Sequence, residues 1–194
     1  AMNVMADTRT PQGVLAVVRQ KRYTMDDIVK PAPDGRALAI MVLETIQDPG
    51  NLGTIIRAGE GAGITGIVMN HDTADIYNPK VIRSTMGSIF RMPFVYADDL
   101  QDACLLMKNR GVRLFAAHLK GMNNDQEDYT DNVGFLIGNE ANGLTEETTS
   151  LADCLVKIPM EGKVESLNAA IAASVLMFET ARQRRSCSVP VETA

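Results

Sequence analysis

Short apolar segments recur at intervals along the chain, and each is bounded by polar residues, glycine or proline. Their length and their content of Val, Ile, Leu and Phe are typical of strands buried in a sheet. Segments of helical length separate them. We expect strands at 38–43, 66–69, 93–96, 113–117, 133–137 and 155–158, and helices at 52–62, 79–88, 98–110, 146–151 and 167–184.

The alternation of strands and helices predicts an α/β fold with a parallel sheet that helices cover on both faces. The chain has 194 residues, of which 45% are hydrophobic, and this supports one domain with a substantial core. We expect a lead-in or tag remnant at 1–9, the domain at 10–185 and a flexible tail at 186–194.

The composition argues against several classes of protein. No apolar run reaches the ~20 residues of a membrane-spanning helix and no basic-then-apolar leader opens the chain, so we expect a cytoplasmic protein with no membrane partner. Three cysteines without a CxxC pair, and two histidines without ligand spacing, predict neither a disulfide nor a metal site. A net charge of −5 argues against nonspecific coating of nucleic acid but is compatible with a local basic groove.

Two glycine-rich segments resemble nucleotide-binding loops but fail on position or content. The glycines at 59–63 close an expected helix instead of opening one, so a dinucleotide-binding fingerprint is rejected. Gly138 and Gly143 have the spacing of a P-loop, but Leu144 stands where a P-loop has lysine. Hydrolysis of ATP or GTP is therefore not expected.

Three polar loops each follow an expected strand, at residues 47–53, 138–144 and 158–168. In an open α/β sheet, ligands bind at the carboxyl ends of the strands. The sequence therefore predicts that these three loops form one ligand site.

Individual residues in and near these loops suggest roles. Asn51 can cap a helix that carries Arg57 two turns further on, with its guanidinium directed back toward the sheet edge. Glu140 follows a buried apolar run, where a carboxylate needs a partner, and it either pairs with a cation such as Arg57 or caps the next turn. Residues 158–160 form a rigid apolar wall that suits a flat purine, and Leu167 resumes the apolar character.

The last expected helix begins after Ser166, whose side chain can cap it. Small residues at 169, 170 and 172–174 allow close backbone approach, and we interpret them as core packing in preference to a subunit interface. One apolar stripe at helical spacing consists of Leu167, Ile171, Val175 and Phe178.

Together the three loops carry a family resemblance. The segments N-L-G-T-I-I-R, F-L-I-G-N-E-A-N-G-L and V-K-I-P-M-E-G-K-V-E-S-L-N resemble, in this order, the three motifs of the SpoU family within the SPOUT methyltransferases. The similarity covers residues 10–184. It implies a parallel-sheet α/β fold with a deep C-terminal trefoil knot. It also implies transfer of a methyl group from S-adenosylmethionine to a ribose 2′-hydroxyl of ribosomal or transfer RNA.

The resemblance further implies which residues form the site. The family holds S-adenosylmethionine in the knot, which makes the cofactor-binding residues here Ala117, Gly138, Asn139, Ile158, Met160 and Leu167. The implied catalytic residues are Arg57, Glu140, Ser166, Asn168 and Asn51. In this scheme Glu140 orients Arg57. Whether Arg57 acts as a base or clamps a phosphate or the 2′-oxygen stays open.

The resemblance also bears on partners. The family works as a homodimer that packs through the knot region, which makes the last helix more plausible as an interface. Candidate contacts to RNA phosphates are Lys80, Arg83 and Arg91. Many members carry an N-terminal RNA-binding domain that is not found before residue 10 here, so the RNA and the nucleotide stay open. Two alternatives are a catalytically silent RNA-binding or assembly protein and an enzyme that methylates a base nitrogen.

Overall fold

The computed structural model describes residue 14 and residues 16–187 of the chain. Its strands are β1 (Ala39–Leu43), β2 (Gly66–Asn70), β3 (Phe94–Ala97), β4 (Arg113–Asn123), β5 (Val133–Ile137) and β6 (Cys154–Lys157). They form one sheet in the order β3-β2-β1-β5-β4-β6, and every neighbouring pair is parallel. The expected α/β fold with a parallel sheet is confirmed.

Helices cover both faces of this sheet, because side chains alternate along each strand. Within β1, Met41 and Leu43 face one core and Ile40 and Val42 face the other, so the whole strand is buried. The helices are α1 (Met25–Val29), α2 (Pro49–Ala62), α3 (Pro79–Thr85), α4 (Leu100–Asn109), α5 (Glu146–Ser150) and α6 (Ala169–Cys187). Helices α2, α3 and α6 contribute to the first core, and α1 and α4 to the second.

Helix α2 starts earlier than expected and has a different cap. The Asp48 side chain accepts a hydrogen bond from the Asn51 backbone N–H at 2.9 Å, and Pro49 occupies the first turn. The expectation that Asn51 caps this helix is therefore wrong, and its side chain is available for other contacts. The helix ends at Ala62, followed by Gly63 with a φ of 83°. This confirms that the glycine-rich segment closes a helix.

Helix α3 is shorter than the expected segment 79–88. Met86 and Gly87 both have positive φ angles, 48° and 88°, which end the helix. The chain then continues as a short 3₁₀ helix at Ser88–Phe90.

Strand β4 is longer than the sequence pattern indicates. Ala117 and Met122 both lie opposite Val156 of β6, so residues 118–121 bulge out of the ladder between them. At Gly121 an added Cβ would lie 2.4 Å from the Val156 nitrogen, which shows how closely the two backbones approach. The apolar pattern stops at Ala117, and the polar bulge hides the continuation of the strand.

Helix α6 is capped by Asn168 and not by Ser166, which corrects the sequence-based expectation. The Asn168 Oδ1 accepts hydrogen bonds from the backbone N–H groups of Ala170 at 2.9 Å and Ile171 at 3.3 Å. The small-residue face packs into the core, as interpreted from the sequence, through Ala169, Ala170 and Ala173.

The apolar stripe of α6 behaves differently from its small-residue face. Ile171 is 53% exposed and Phe178 is 48% exposed, so the stripe does not pack on the sheet. At the far end of the helix, Arg184 donates to the backbone carbonyls of Ala37, Leu38, Tyr129 and Asp131. These bonds fasten α6 to the segments that precede β1 and β5.

The expected lead-in at 1–9 lies outside the described residues, as do residues 188–194 of the expected tail. Residues 186 and 187 still belong to α6. Across the described part of the chain, every helix is too short or too polar to cross a membrane.

Candidate active site

The carboxyl ends of β2, β1 and β5 are joined by a chain of side-chain hydrogen bonds centred on Thr45. This β-branched residue has a φ of 59°, a conformation that costs about 1–3 kcal/mol. Its backbone N–H donates to Asn70 Oδ1 at 2.8 Å, and its carbonyl accepts from Asn139 Nδ2 at 2.9 Å. The Thr45 hydroxyl accepts from Asn70 Nδ2 at 2.8 Å. These contacts hold Thr45, which leads into the first loop, in its strained conformation beside the loop that follows β5.

The loop after β5 folds back on itself. Asn139 and Gly143 exchange two backbone hydrogen bonds, of 3.0 and 2.9 Å. The Asn139 Oδ1 also accepts from the N–H groups of Ala141 and Asn142. A Cβ added at Gly138 would lie 2.2 Å from the Gly143 carbonyl carbon. Gly138 is therefore required by the fold of the loop itself, in addition to any contact with a ligand.

Asn51 connects all three predicted loops. Its Nδ2 donates to Glu140 Oε1 at 2.8 Å, and its Oδ1 accepts from Asn168 Nδ2 at 2.9 Å. Residue 51 belongs to the first loop, residue 140 to the second and residue 168 to the third. The structure thus brings three of the five predicted catalytic residues into one hydrogen-bonded group.

Glu140 is held by the first loop and not by Arg57. Besides Asn51, its carboxylate accepts from the backbone N–H groups of Gln47 at 3.4 Å and Asp48 at 3.3 Å. Burial raises the pKa of Glu140, but these hydrogen bonds together outweigh that effect and leave the pKa below its ordinary value. Glu140 is therefore a carboxylate at neutral pH.

Arg57 is exposed on α2 and forms no ion pair or hydrogen bond with any residue that the structure describes. The expected orientation of Arg57 by Glu140 is not formed within the chain, because Asn51 and two backbone groups occupy that carboxylate. The Arg57 guanidinium, with its five donors, is left facing solvent on the helix that the first loop opens.

A cavity of about 480 Å³ lies at the carboxyl ends of β4, β5 and β6 and is closed on one side by the start of α6. Its volume is in the range of small-molecule sites, ~300–1,000 Å³. All six predicted cofactor-binding residues line it, namely Ala117, Gly138, Asn139, Ile158, Met160 and Leu167. Two predicted catalytic residues, Glu140 and Ser166, also line it.

The sequence missed one wall of this cavity. His118, Leu119 and Lys120 belong to the bulge of β4 and line the cavity beside Ala117. Only the register shift between β4 and β6 reveals them, so no periodicity in the sequence could have found them. They add the Lys120 ammonium to a cavity that is also lined by Lys157 and by the carboxylates of Glu140 and Glu165.

A second cavity, of about 460 Å³, lies by the segment leading into β1 and the ends of α1 and α2. Its charged side chains are mostly paired with each other, as Lys30 is with Asp27 and Arg91 is with Glu60. It holds none of the predicted cofactor-binding or catalytic residues. The first cavity is therefore the candidate site.

Of the three predicted RNA contacts, Lys80 and Arg83 lie on α3 and Arg91 directly follows the 3₁₀ helix. Lys80 forms an ion pair with Asp48 at 3.5 Å, and Arg91 forms one with Glu60 at 2.8 Å. Arg83 lies in the last turn of α3 and is exposed. Since Lys80 pairs with Asp48, the cap of α2, these basic residues adjoin the first loop.

Within the described residues, no group of three or more His, Cys, Asp or Glu side chains could hold a metal ion.

A parallel sheet with a cavity at its strand carboxyl ends, and three loops joined by Asn51, defines an α/β protein with a candidate small-molecule site at this edge. Residues 39–178 match the model of the SpoU rRNA Methylase family. The chain belongs to this family.

Named relatives support the assignment. The chain is 37% identical over 159 residues to the 23S rRNA (guanosine-2′-O-)-methyltransferase RlmB of Xanthomonas axonopodis pv. citri, covering 79% of this chain and 61% of the relative. It is 31% identical over 185 residues to the 23S rRNA (guanosine(2553)-2′-O)-methyltransferase RlmP of Bacillus subtilis, covering 92% and 68%. The chain thus spans roughly two thirds or less of the length of these relatives.

The fold is also found among solved structures. The AdoMet-bound rRNA methyltransferase from Sinorhizobium meliloti superimposes with a TM-score of 0.77 at 36% sequence identity. The match covers 84% of this chain and 61% of that one.

Proposed function

We propose that this chain is the catalytic part of an RNA methyltransferase that transfers a methyl group from S-adenosylmethionine to a ribose 2′-hydroxyl. The observation that carries the proposal is that all six residues expected to bind the cofactor line one cavity, together with Glu140 and Ser166. The relatives' names support ribosomal RNA as the substrate in preference to transfer RNA.

The residues of the cavity fit this cofactor. S-adenosylmethionine combines a flat purine, a sulfonium cation and an amino acid end with both charges. The cavity offers apolar walls at Ile158 and Leu167. Its charged lining consists of carboxylates at Glu140 and Glu165 and ammonium groups at Lys120 and Lys157. A ligand with separated charges on an apolar body matches this set.

When bound, S-adenosylmethionine supplies an activated methyl group. The chain must then place a ribose hydroxyl in line with that group and help remove its proton. Arg57 is suited to bind an RNA phosphate or the 2′-oxygen, because it is exposed and its guanidinium has no partner among the described residues. A guanidinium holds its own proton tightly, so the hydroxyl proton passes to an RNA phosphate or to water.

The other catalytic candidates have roles that follow from their contacts. Ser166 and Glu140 line the cavity and can contact the acceptor. Asn51 and Asn168 do not line it and instead hold the three loops in place. We therefore assign Asn51 and Asn168 as positioning residues, with Ser166 shaping the hydroxyl site.

We further propose that the protein is a homodimer that packs through α6. The side chains of Ile171 and Phe178 form an exposed apolar stripe on this helix, beside the candidate site. Covering this stripe with a second copy would bury it at low entropic cost, since the helix is already ordered. The deep trefoil knot and the cytoplasmic location expected from the sequence stay predictions.

The proposal is tested first by calorimetric titration of the chain with S-adenosylmethionine. Saturable binding near one ligand per chain or per dimer is expected. The absence of binding would contradict the proposal and favour a catalytically silent RNA-binding protein.

A second experiment tests which atom is methylated. RNA extracted from cells before and after overexpression of this chain is digested with alkali. An added alkali-resistant dinucleotide indicates ribose methylation, whereas incorporation of labelled methyl without it indicates a base-methylating enzyme.

A further inference from the structure

Glu44, the residue that follows β1, is a buried carboxylate that the sequence did not single out. It is only 8% exposed and does not line the candidate cavity. It forms no ion pair with any residue that the structure describes. A buried carboxylate without a cation is costly to fold, so neutral hydrogen-bond donors must surround it.

These donors belong to Thr145 and Thr148, which directly follow the second loop, residues 138–144. The Thr145 backbone N–H donates to Glu44 Oε2 at 2.8 Å, and the Thr145 hydroxyl donates to Oε1 at 2.9 Å. The Thr148 hydroxyl also donates to Oε1. The carboxylate therefore accepts three hydrogen bonds from residues about one hundred positions later in the chain.

The second loop is also attached near its start, at Asn139, to Thr45, the residue that follows Glu44. Asn139 Nδ2 donates to the carbonyl of Thr45. Both ends of the segment 139–145 are thus attached to two consecutive residues at the end of β1. Between these two attachments lie Glu140, Gly143 and Leu144, which line the cavity.

We propose that Glu44 is a positioning residue that sets the affinity for the cofactor from outside the cavity. Because Glu44 holds Thr145 in place, it fixes the position of Gly143 and Leu144 in the cavity wall. This inference rests on the proposed function, because it concerns the same cavity. The Glu44 carboxylate does not contact the reacting atoms.

The variant Glu44→Gln tests this proposal with a minimal change of shape. A glutamine can direct its carbonyl oxygen to the two hydroxyl groups, but its amide then faces the Thr145 N–H, so two donors oppose each other. The milder variant Thr148→Val removes one donor and leaves the carboxylate in place. Ile28→Val is a matched control, because Ile28 is buried in the core between α1 and the sheet, away from the cavity.

We expect Glu44→Gln to raise the Kd for S-adenosylmethionine at least tenfold and Thr148→Val to raise it two- to fivefold. Ile28→Val should lower the melting temperature but leave the Kd unchanged, which separates positioning from a general loss of stability. Amide hydrogen exchange at residues 139–145 should accelerate in Glu44→Gln, with no change at β2 and β3.

The two readouts also separate this inference from the proposed function. Lack of cofactor binding by the unmodified chain would overturn the proposed function and, with it, the role assigned to Glu44. Wild-type affinity and wild-type exchange in Glu44→Gln, in a chain that does bind the cofactor, would overturn the role of Glu44 alone. If Glu44→Gln does not fold, an unchanged Kd in Thr148→Val has the same meaning.

Discussion

Asn51 Nδ2 donates a hydrogen bond of 2.8 Å to Glu140 Oε1, across 89 positions of sequence. The same side chain accepts from Asn168, so one amide joins the three loops that surround the candidate site. An amide suits this place because it donates on one side and accepts on the other.

Replacing Asn51 with aspartate should be more harmful than replacing it with alanine. Aspartate places a second carboxylate against Glu140, whereas alanine only removes the hydrogen bonds. We expect Asn51→Asp to lower the unfolding free energy by about 1–2 kcal/mol and methyl transfer by at least tenfold at pH 7. The two variants should converge near pH 5, where the carboxylates can share a proton. Equal stability of both variants at every pH, measured by urea unfolding, would contradict the contact.

Gly138→Ala should weaken cofactor binding through the loop and not through direct contact. The added Cβ would lie 2.2 Å from the backbone at Gly143, and backbone cannot yield easily. We expect a loss of about 1–3 kcal/mol in stability and at least a tenfold higher Kd for S-adenosylmethionine. Gly162→Ala is the matched control in the third loop, because a Cβ there meets no atom within 4 Å. An effect of similar size from Gly162→Ala would show that the loops tolerate no side chain at all.

Arg57→Ala should separate catalysis from cofactor binding. Arg57 is exposed and does not line the cavity, so the Kd for S-adenosylmethionine should stay within twofold. Methyl transfer should fall by about a hundredfold or more, as for the loss of a charged group that stabilises a transition state. Arg110→Ala, at the residue that follows α4, is the control and should retain activity. Undiminished transfer by Arg57→Ala would remove Arg57 from the mechanism.

The homodimer proposal predicts that Ile171→Lys combined with Phe178→Lys yields a folded monomer. Both side chains are about half exposed, so charge there should cost the isolated chain little. Sedimentation equilibrium should show a halved mass for the double variant. Leu105→Lys, at a similarly exposed position on α4, should leave the dimer intact. A monomeric wild-type chain would disprove the interface.

The start of α1 predicts a loss of stability in acid. Thr24 and Asp27 form a capping box there, since the Thr24 backbone N–H donates to the Asp27 carboxylate and the Asp27 backbone N–H donates to the Thr24 hydroxyl oxygen. The Thr24 backbone N–H and the Lys30 ammonium hold the pKa of Asp27 at about 2, below its ordinary value of 3.8. A lowered pKa contributes stability that is present above pH 3.8 and is lost as the pH falls through about 2. Asp27→Asn should therefore be less stable than the wild type at pH 5, and the difference should shrink toward pH 2. A difference that is constant over this range, measured by thermal unfolding, would contradict the assignment.

Much of the fold could be predicted because it depends on local pattern. Strand β5 was predicted to the residue, since Val133–Ile137 is a continuous apolar run bounded by Asn132 and Gly138. The register of β4 could not be predicted, because the chain leaves the ladder at His118 and rejoins it at Met122. Residues 122 and 123 belong to β4 because they pair with β6. The pattern of apolar residues within β4 gives no sign of this pairing.

The candidate site, too, could be predicted in part from the sequence. The sequence by itself determined the three loops and their order, because loops that follow parallel strands meet at one edge of the sheet. The cofactor-binding residues came from the family resemblance and stay a prediction. Only the tertiary structure decided that Asn51 joins Glu140 to Asn168, that Arg57 stands apart from Glu140, and that Ile171 and Phe178 face outward. Each of these depends on contacts between residues far apart in the chain, or on how a helix is rotated against the sheet. Packing in the folded protein determines these contacts and orientations, and they cannot be read from the spacing of residues along the sequence.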